Sequence, residues 1–330
     1  MDTHHVRLSS AEIGGLWETY TLDSAIICLL KYCLHHAKDE EIKGIIKKTI
    51  DLAQNHLNDV SEIFMKEQIV VPNGFTDDDI NLSAPPLFYE TYSISCVYMV
   101  LRMSIINFSF TIANVARPDI LDFFSRCIRE DTKNFNEVVN LMLSKGLYDR
   151  PPMIPYPKEK EYIKKKNYIF KSIGEKRPLN ALELSEVFFN IERNYFAVIL
   201  CMGLLQVVKD KKFKSFISEG KEISEKQINY LNDLLKDENL LGIVSVNVEV
   251  TDSTESPFSD RLIIALFTLL NGLDITLLGR ALSKSLRADL SAFYSKTIAE
   301  ILLYSVKGFN LMVEHGWMEE PPHAPNRHID

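Results

Sequence analysis

The sequence predicts an all-α protein built as two tandem four-helix bundles, and three observations predict it. Glycine and proline number only 13 each in 330 residues, too few turn-formers for a chain of many short strands. The chain matches itself without a gap: an offset of 170 carries Phe88 onto Phe258 and holds as far as Pro155 on Pro325. Both copies also stop alike, in "SKGLYDRPPMIP" (Ser144 to Pro155) and "EHGWMEEPPHAP" (Glu314 to Pro325), where a helical pattern meets glycine and then a proline pair.

The first predicted helix spans Ala11 to Ala37. Ser9 with Glu12 three residues on is a capping box, and at an offset of 171 Asn180 with Glu183 is another. A second helix is expected over Glu40 to Gln68 and a third over Leu87 to Val115. The fourth runs from Pro118, which suits a first turn where its missing N–H is not missed, to Lys145, with Gly146 at the left-handed stop. Within it Ile120, Phe123, Phe124, Cys127 and Ile128 recur at three- and four-residue spacing, an amphipathic stripe. The matched positions are mostly core types, among them Ile94/Ile264, Phe123/Phe293, Leu141/Leu311 and Met142/Met312.

Between the second and third helices lies "IVVPNGFTDDDINLSAPP", long enough to run the length of a helix. Its counterpart, "VSVNVEVTDSTESP", alternates valine with polar residues as an extended segment does. Two hairpins joined by one long crossover make the ferritin-like bundle topology. The expected division is a first bundle over 1–157, a linker over 158–179 and a second bundle over 180–330.

Composition excludes several classes. The net charge is −8, and the basic cluster Lys158 to Lys166 alternates with acids, the pattern of a solvated linker, so nucleic acid is not an expected partner. Five cysteines form no CxxC pair and sit in apolar helical runs, which points to reduced, packed thiols in the cytoplasm. The N-terminus lacks a basic segment followed by an apolar one, so no signal peptide is expected. The third helix has one charge, Arg102, in 24 residues, and Leu262 to Leu282 is similar. A membrane span competes there with a central bundle helix. Charge at Arg102 and Asp274, and amphipathic neighbours, favour the bundle.

The stretches "AEIGGLW" (Ala11 to Trp17), "GFTDDDINLSAPPLF" (Gly74 to Phe88), "SKGLYDRPPMIP", "EKRPLNALEL" (Glu175 to Leu184), "VTDSTESPFSD" (Val250 to Asp260) and "GWMEEPP" (Gly316 to Pro322) resemble a family of spore-forming bacilli, domain of unknown function 3231, in both halves. The resemblance implies a tandem ferritin-like bundle distantly similar to spore coat protein F. It implies no activity.

Ferritin-like bundles often hold two metals on Glu residues and Glu-x-x-His pairs. Asp23 and His56 lie at similar distances from the turn joining the first two helices. The third helix offers only Arg102 at that level, and the fourth arrives with Glu130 and Asp131. Ala53 stands three residues before His56, so Glu-x-x-His fails, and the second half has Asn194 and Gln227 in place of Asp23 and His56. A dinuclear site is not expected. A mononuclear site for iron, manganese or zinc on Asp23, His56 and Glu130 competes with a locally hydrogen-bonded core histidine, the blander reading and the favoured one. His35 and His36 read as a C-terminal helix cap, and Asp77 to Asp79 as a polar turn rather than a calcium loop. No nucleotide-binding or nucleophile motif occurs.

Two functions remain. One is a non-catalytic structural or interaction protein, cytoplasmic and incorporated into the spore, with a protein partner or self-association and no cofactor. The other is a degenerate ferritin-like protein binding a metal or small molecule in the first half only.

Overall fold

The computed structural model describes residues 6–163, 177–243 and 250–327. They contain eight α-helices: α1 (Ser10–His36), α2 (Glu40–Lys66), α3 (Glu90–Ile112), α4 (Pro118–Ser144), α5 (Ala181–Val207), α6 (Lys211–Asp237), α7 (Asp260–Lys284) and α8 (Ala288–Glu314). The fold is all-α, two four-helix bundles in tandem, each with a long connection between its second and third helices. By packing, one compact unit comprises Met1–Tyr148 with Glu255–Leu262 and Met312–Asp330, and the other Asp149–Thr254 with Ile263–Leu311. Most of the linker expected at 158–179, and the valine alternation at 244–249, lie outside the described residues.

In the first unit α1 packs on α2 and α3, and α4 on α2 and α3. Its core at one end joins Leu16, Phe64, Phe108, Ile120 and Phe124, all buried, from all four helices. The capping box is formed: Glu12 N–H donates to Ser9 Oγ at 3.3 Å and Ser9 N–H to Glu12 Oε2 at 2.7 Å. The crossover folds into a short 3-10 turn at Asp77–Asp79 capped by Thr76, so the three aspartates are a turn, as their sequence implies. Asp79 accepts from Ser259 Oγ at 2.6 Å and lies 3.5 Å from Arg261, both in segments belonging to this unit.

In the second unit α5 packs on α6. Glu186 on α5 pairs with Lys284 of α7 at 2.9 Å, and Tyr230 of α6 stacks on Phe293 of α8 at 4.1 Å. Among the described residues three helices, α3, α5 and α7, are long and apolar enough to span a membrane by length and composition. The two charges at issue have lateral partners: Arg102 donates to Tyr98 Oη at 2.9 Å, and Asp274 pairs with Arg193 of α5.

The repeat is clearest at the helix ends. Gly146 and Gly316 have φ of +69° and +67°, and the following N–H reaches back to Met142 O at 2.8 Å and to Met312 O at 2.9 Å. That is the left-handed stop both sequences predict. The second helices end the same way without glycine, at a left-handed Gln68 (φ 58°) and Asn239 (φ 56°), and α2 itself stops at Lys66, two residues before the expected Gln68.

A polar clamp recurs as well. Glu12 Oε1 accepts from the N–H groups of Ala116 and Arg117, while Arg117 binds Glu67 at 2.6 Å and Asp119 at 2.8 Å. Glu183 likewise accepts from the N–H groups of Leu286 and Arg287, and Arg287 binds Glu238 and Asp289. Each clamp ties the start of the first helix and the end of the second to the turn between third and fourth. Burial alone would raise the Glu12 carboxyl, but the N–H donors of Ser9, Arg117 and Ala116 outweigh it and hold it at about 2.

Candidate functional site

Asp23 and His56 meet in the interior of the first bundle. Asp23 faces inward from α1 and His56 from α2, at 4% and 2% exposure, with His56 Nδ1 2.9 Å from Asp23 Oδ2. The edges of Phe108 and Phe123 close on the imidazole, at centroid distances of 5.6 and 6.1 Å. These rings come from α3 and α4, so all four helices contribute to the pocket wall.

Of the two acids that α4 brings, Asp131 is the buried one, and Glu130 is only half-buried. Asp131 lies one turn beyond Cys127, whose buried thiol interacts with His56. One turn further, Asn134 Nδ2 donates to Thr49 Oγ1 at 2.8 Å, a second buried polar contact between α4 and α2. Cys127, Thr49 and Asn134 are the partners that the sequence reading missed. The stripe on α4 points to them: continued past Cys127 at helical spacing, it selects Asp131, Asn134 and Val138, all buried, and passes over Glu130.

The electrostatics follow from burial and pairing. Burial alone would lower the His56 imidazole. The hydrogen bond to Asp23, the nearby Cys127 thiol and the charge of Asp23 reverse that and raise it to about 11. Burial raises the Asp131 carboxyl to about 7, the charges of Asp23 and Glu130 adding to the effect and that of His56 opposing it. At neutral pH the site is therefore an imidazolium–carboxylate pair beside an acid near its midpoint.

A metal on His56 would need the lone pair of Nε2, a buried atom without a hydrogen-bond partner. It would displace a proton bound about 10⁴-fold more tightly than pH 7 requires, a direct cost to affinity. Among the described residues no three His, Cys, Asp or Glu side chains are grouped to hold a metal ion. His35 and His36 stand in the last turn of α1, where α1 ends on a backbone bond from Ala37 to Cys33. His36 packs edge-on against Tyr32 at 4.8 Å, and burial pushes its imidazole down.

In the second bundle the same places hold a neutral pair. Asn194 Nδ2 donates to Gln227 Oε1 at 3.2 Å and to Asn190 O at 2.7 Å, and all three side chains are buried.

Comparison with curated proteins gives no match. Among solved structures, a Bacillus halodurans C-125 protein provisionally described as a spore coat protein is similar at 20% identity and a TM-score of 0.42, over 46% of this chain and 98% of that one. A similarity at that score establishes neither shared fold nor shared function. The family described as "Protein of unknown function (DUF3231)" matches residues 1–159 and again 167–329. Two tandem matches agree with the two bundles and their repeated stops and clamps, and the chain belongs to this family.

Proposed function

We propose that the protein is a non-catalytic structural or interaction protein, with the Asp23–His56 pair serving as a buried pin between helices. One observation carries the reading: Asp23 and His56 are hydrogen-bonded to each other inside an aromatic enclosure, and Asn194 and Gln227 make the same cross-link without charge. A place that one fold fills with either an ion pair or two amides is one whose first requirement is a link between helices. A ferritin-like ancestry for the bundles is part of the proposal. So are a cytoplasmic location, which suits five free, buried cysteines, and incorporation into the spore, which rests on the sequence resemblance. The Pro-rich end of the first repeat supports the interaction part, with Met153 and Tyr156 at 92% and 95% exposure.

The second reading, a mononuclear metal at His56, is favoured by the unpartnered Nε2. Elemental analysis of untagged protein after dialysis separates the two. Less than one equivalent of iron, zinc or manganese is expected. A stoichiometric metal lost on His56→Ala and retained on Gln227→Ala would overturn the structural reading.

A further inference from the structure

We infer that the first bundle binds an internal water between His56 and Asn134, which continues the Asp23–His56 pin into a hydrogen-bonded column across α1, α2 and α4. Two buried side chains call for it. His56 Nε2 and Asn134 Oδ1 have no hydrogen-bond partner, and their residues are 2% and 4% exposed. The carboxyl of Asp131, also buried, receives no hydrogen bond among the described residues. Buried polar groups of a folded protein are satisfied by other protein groups or by ordered water.

Helix geometry brings the three groups together. Cys127 of α4 lies beside His56 of α2, and Asn134 of α4 bonds Thr49 of α2. Between these contacts α4 advances seven positions while α2 goes back seven, so the two helices run antiparallel in one register. Asp131 falls between them, about 6 Å along α4 from Cys127 and about 4.5 Å from Asn134. Helical side chains lean toward the N-terminus of their own helix. On antiparallel helices His56 therefore leans toward the level of Thr49, and Asn134 toward the level of Cys127, which closes the interval between them. The α2 residue in that interval is Ala53, on the face of Thr49 and His56 at four- and three-residue spacing, and its side chain is a single methyl. A water there bonds His56 Nε2, the Asp131 carboxyl and Asn134 Oδ1, and three partners is the usual number for a buried water. Among the described residues no three His, Cys, Asp or Glu side chains are grouped to hold an ion, so water is the occupant.

The second bundle fills this layer with protein. Ile301 stands in the place of Asp131 and Tyr304 in that of Asn134, both buried. They add more side-chain volume than Gly220 gives up in the place of Thr49. Interiors pack to one density, so the first bundle has room that these side chains do not fill. Tyr304 Oη is unpartnered as well, but it is a single polar atom on a ring stacked against Phe216, and a water needs two to four partners.

The inference rests on the pin reading, which fixes how the imidazole is turned. Oxygen-17 magnetic relaxation dispersion of the untagged, dialysed chain tests it, because the amplitude counts waters held inside the protein. At about one buried water per 27 residues the chain holds roughly a dozen, so the decisive quantity is a difference between native protein and variants. Asp131→Ile, which installs the second bundle's residue, should lower the amplitude by the equivalent of about one water. Ala53→Val should do the same without changing a polar group. Circular dichroism identifies which variants fold, and an unchanged amplitude in a folded variant would overturn the inference. The native protein gives an independent reading: the ring C–H protons of His56, assigned by their loss in His56→Gln, should show a nuclear Overhauser contact with water. Absence of that contact in metal-free protein would also overturn the inference and leave the pin standing. Stoichiometric metal would instead overturn the pin reading itself.

Discussion

Asn194 and Gln227 meet across α5 and α6 at 3.2 Å, and Asp23 and His56 across α1 and α2 at 2.9 Å, the partners 33 positions apart in both pairs. The repeat has kept the contact and changed its charge. A buried ion pair and a buried amide pair can both satisfy their hydrogen bonds, but the first is the more costly to break by halves, because it strands a charge.

Asp23→Ala should therefore destabilise the first bundle by about 3–5 kcal/mol, because it strands an imidazolium among Phe108, Phe123 and Cys127. Asp23→Asn with His56→Gln, which installs the second bundle's pair, should cost about 1 kcal/mol or less. Trp17 and Trp317 both lie in the first unit, so urea unfolding followed by tryptophan fluorescence reads this bundle. A double variant as unstable as the single would show that the ion pair carries something the amides cannot.

Asp131 gives a pH dependence with a definite sign. Its folded pKa, about 7, is above the unfolded value near 4, so the folded state binds this proton more tightly. The associated stability is fully present below pH 4 and is lost as pH rises through 7. His56, raised to about 11, acts in the same direction between about pH 6.5 and 11. Asp131→Asn should then be more stable than the native protein at pH 8, by at least about 1 kcal/mol of the roughly 4 that the shift represents. The gain should vanish at pH 4. A constant difference from pH 4 to pH 8 would mean that Asp131 does not titrate in this window.

The element boundaries were legible because caps and stops are local chemistry. Ser9 with Glu12, Pro118 and Gly146 each mark a helix end to within a residue, and all three stand where the sequence puts them. The end of α2 was less legible, because Gln68 takes a left-handed conformation that sequence assigns to glycine or asparagine. The pairing of Asp23 with His56 could be read from their distances to one turn. Their remaining neighbours could not, since the rotation of α4 about its own axis decides whether Glu130 or Asp131 faces inward. The clamps were missed although Arg117 and Arg287 stand 170 apart: an arginine beside a turn reads as solvated until Glu67 and Glu238 are brought to it by the fold.

Those clamps differ in burial, and their variants should differ in cost. The side chains of Arg287 and Glu238 are 4% and 14% exposed, against 14% and 18% for Arg117 and Glu67. Arg287→Met should destabilise the second bundle by about 3 kcal/mol, and Arg117→Met the first by about 1–2 kcal/mol, since the more buried glutamate is the more expensive to leave alone. Thermal melts by circular dichroism compare the two. Equal losses, or a larger one at Arg117, would show that burial does not set the cost.

The last expectation concerns another exchange between the repeats. Thr49 and Asn134 are hydrogen-bonded at 2.8 Å in the first bundle, and Gly220 and Tyr304 occupy their places in the second. Tyr304 lies on Phe216 at a centroid distance of 4.4 Å, and its ring fills the room that Gly220 leaves open. A Cβ at Gly220 would stand 2.5 Å from Tyr304 Oη and 2.9 Å from Cζ, so the ring would have to shift. Helix propensity favours Gly220→Ala by about 1 kcal/mol. Overpacking of a tight core contact opposes it by about 1–3 kcal/mol and should prevail. Gly220→Thr should be worse, and Tyr304→Asn alone should lose the Phe216 stack. Combined, the two substitutions rebuild the Thr49–Asn134 bond, so the double variant should be more stable than the sum of the single losses predicts, by at least about 1 kcal/mol. Circular dichroism melts of the four proteins give the coupling. Strict additivity would mean that Gly220 and Tyr304 do not constrain each other, and that the exchange between the repeats is coincidental.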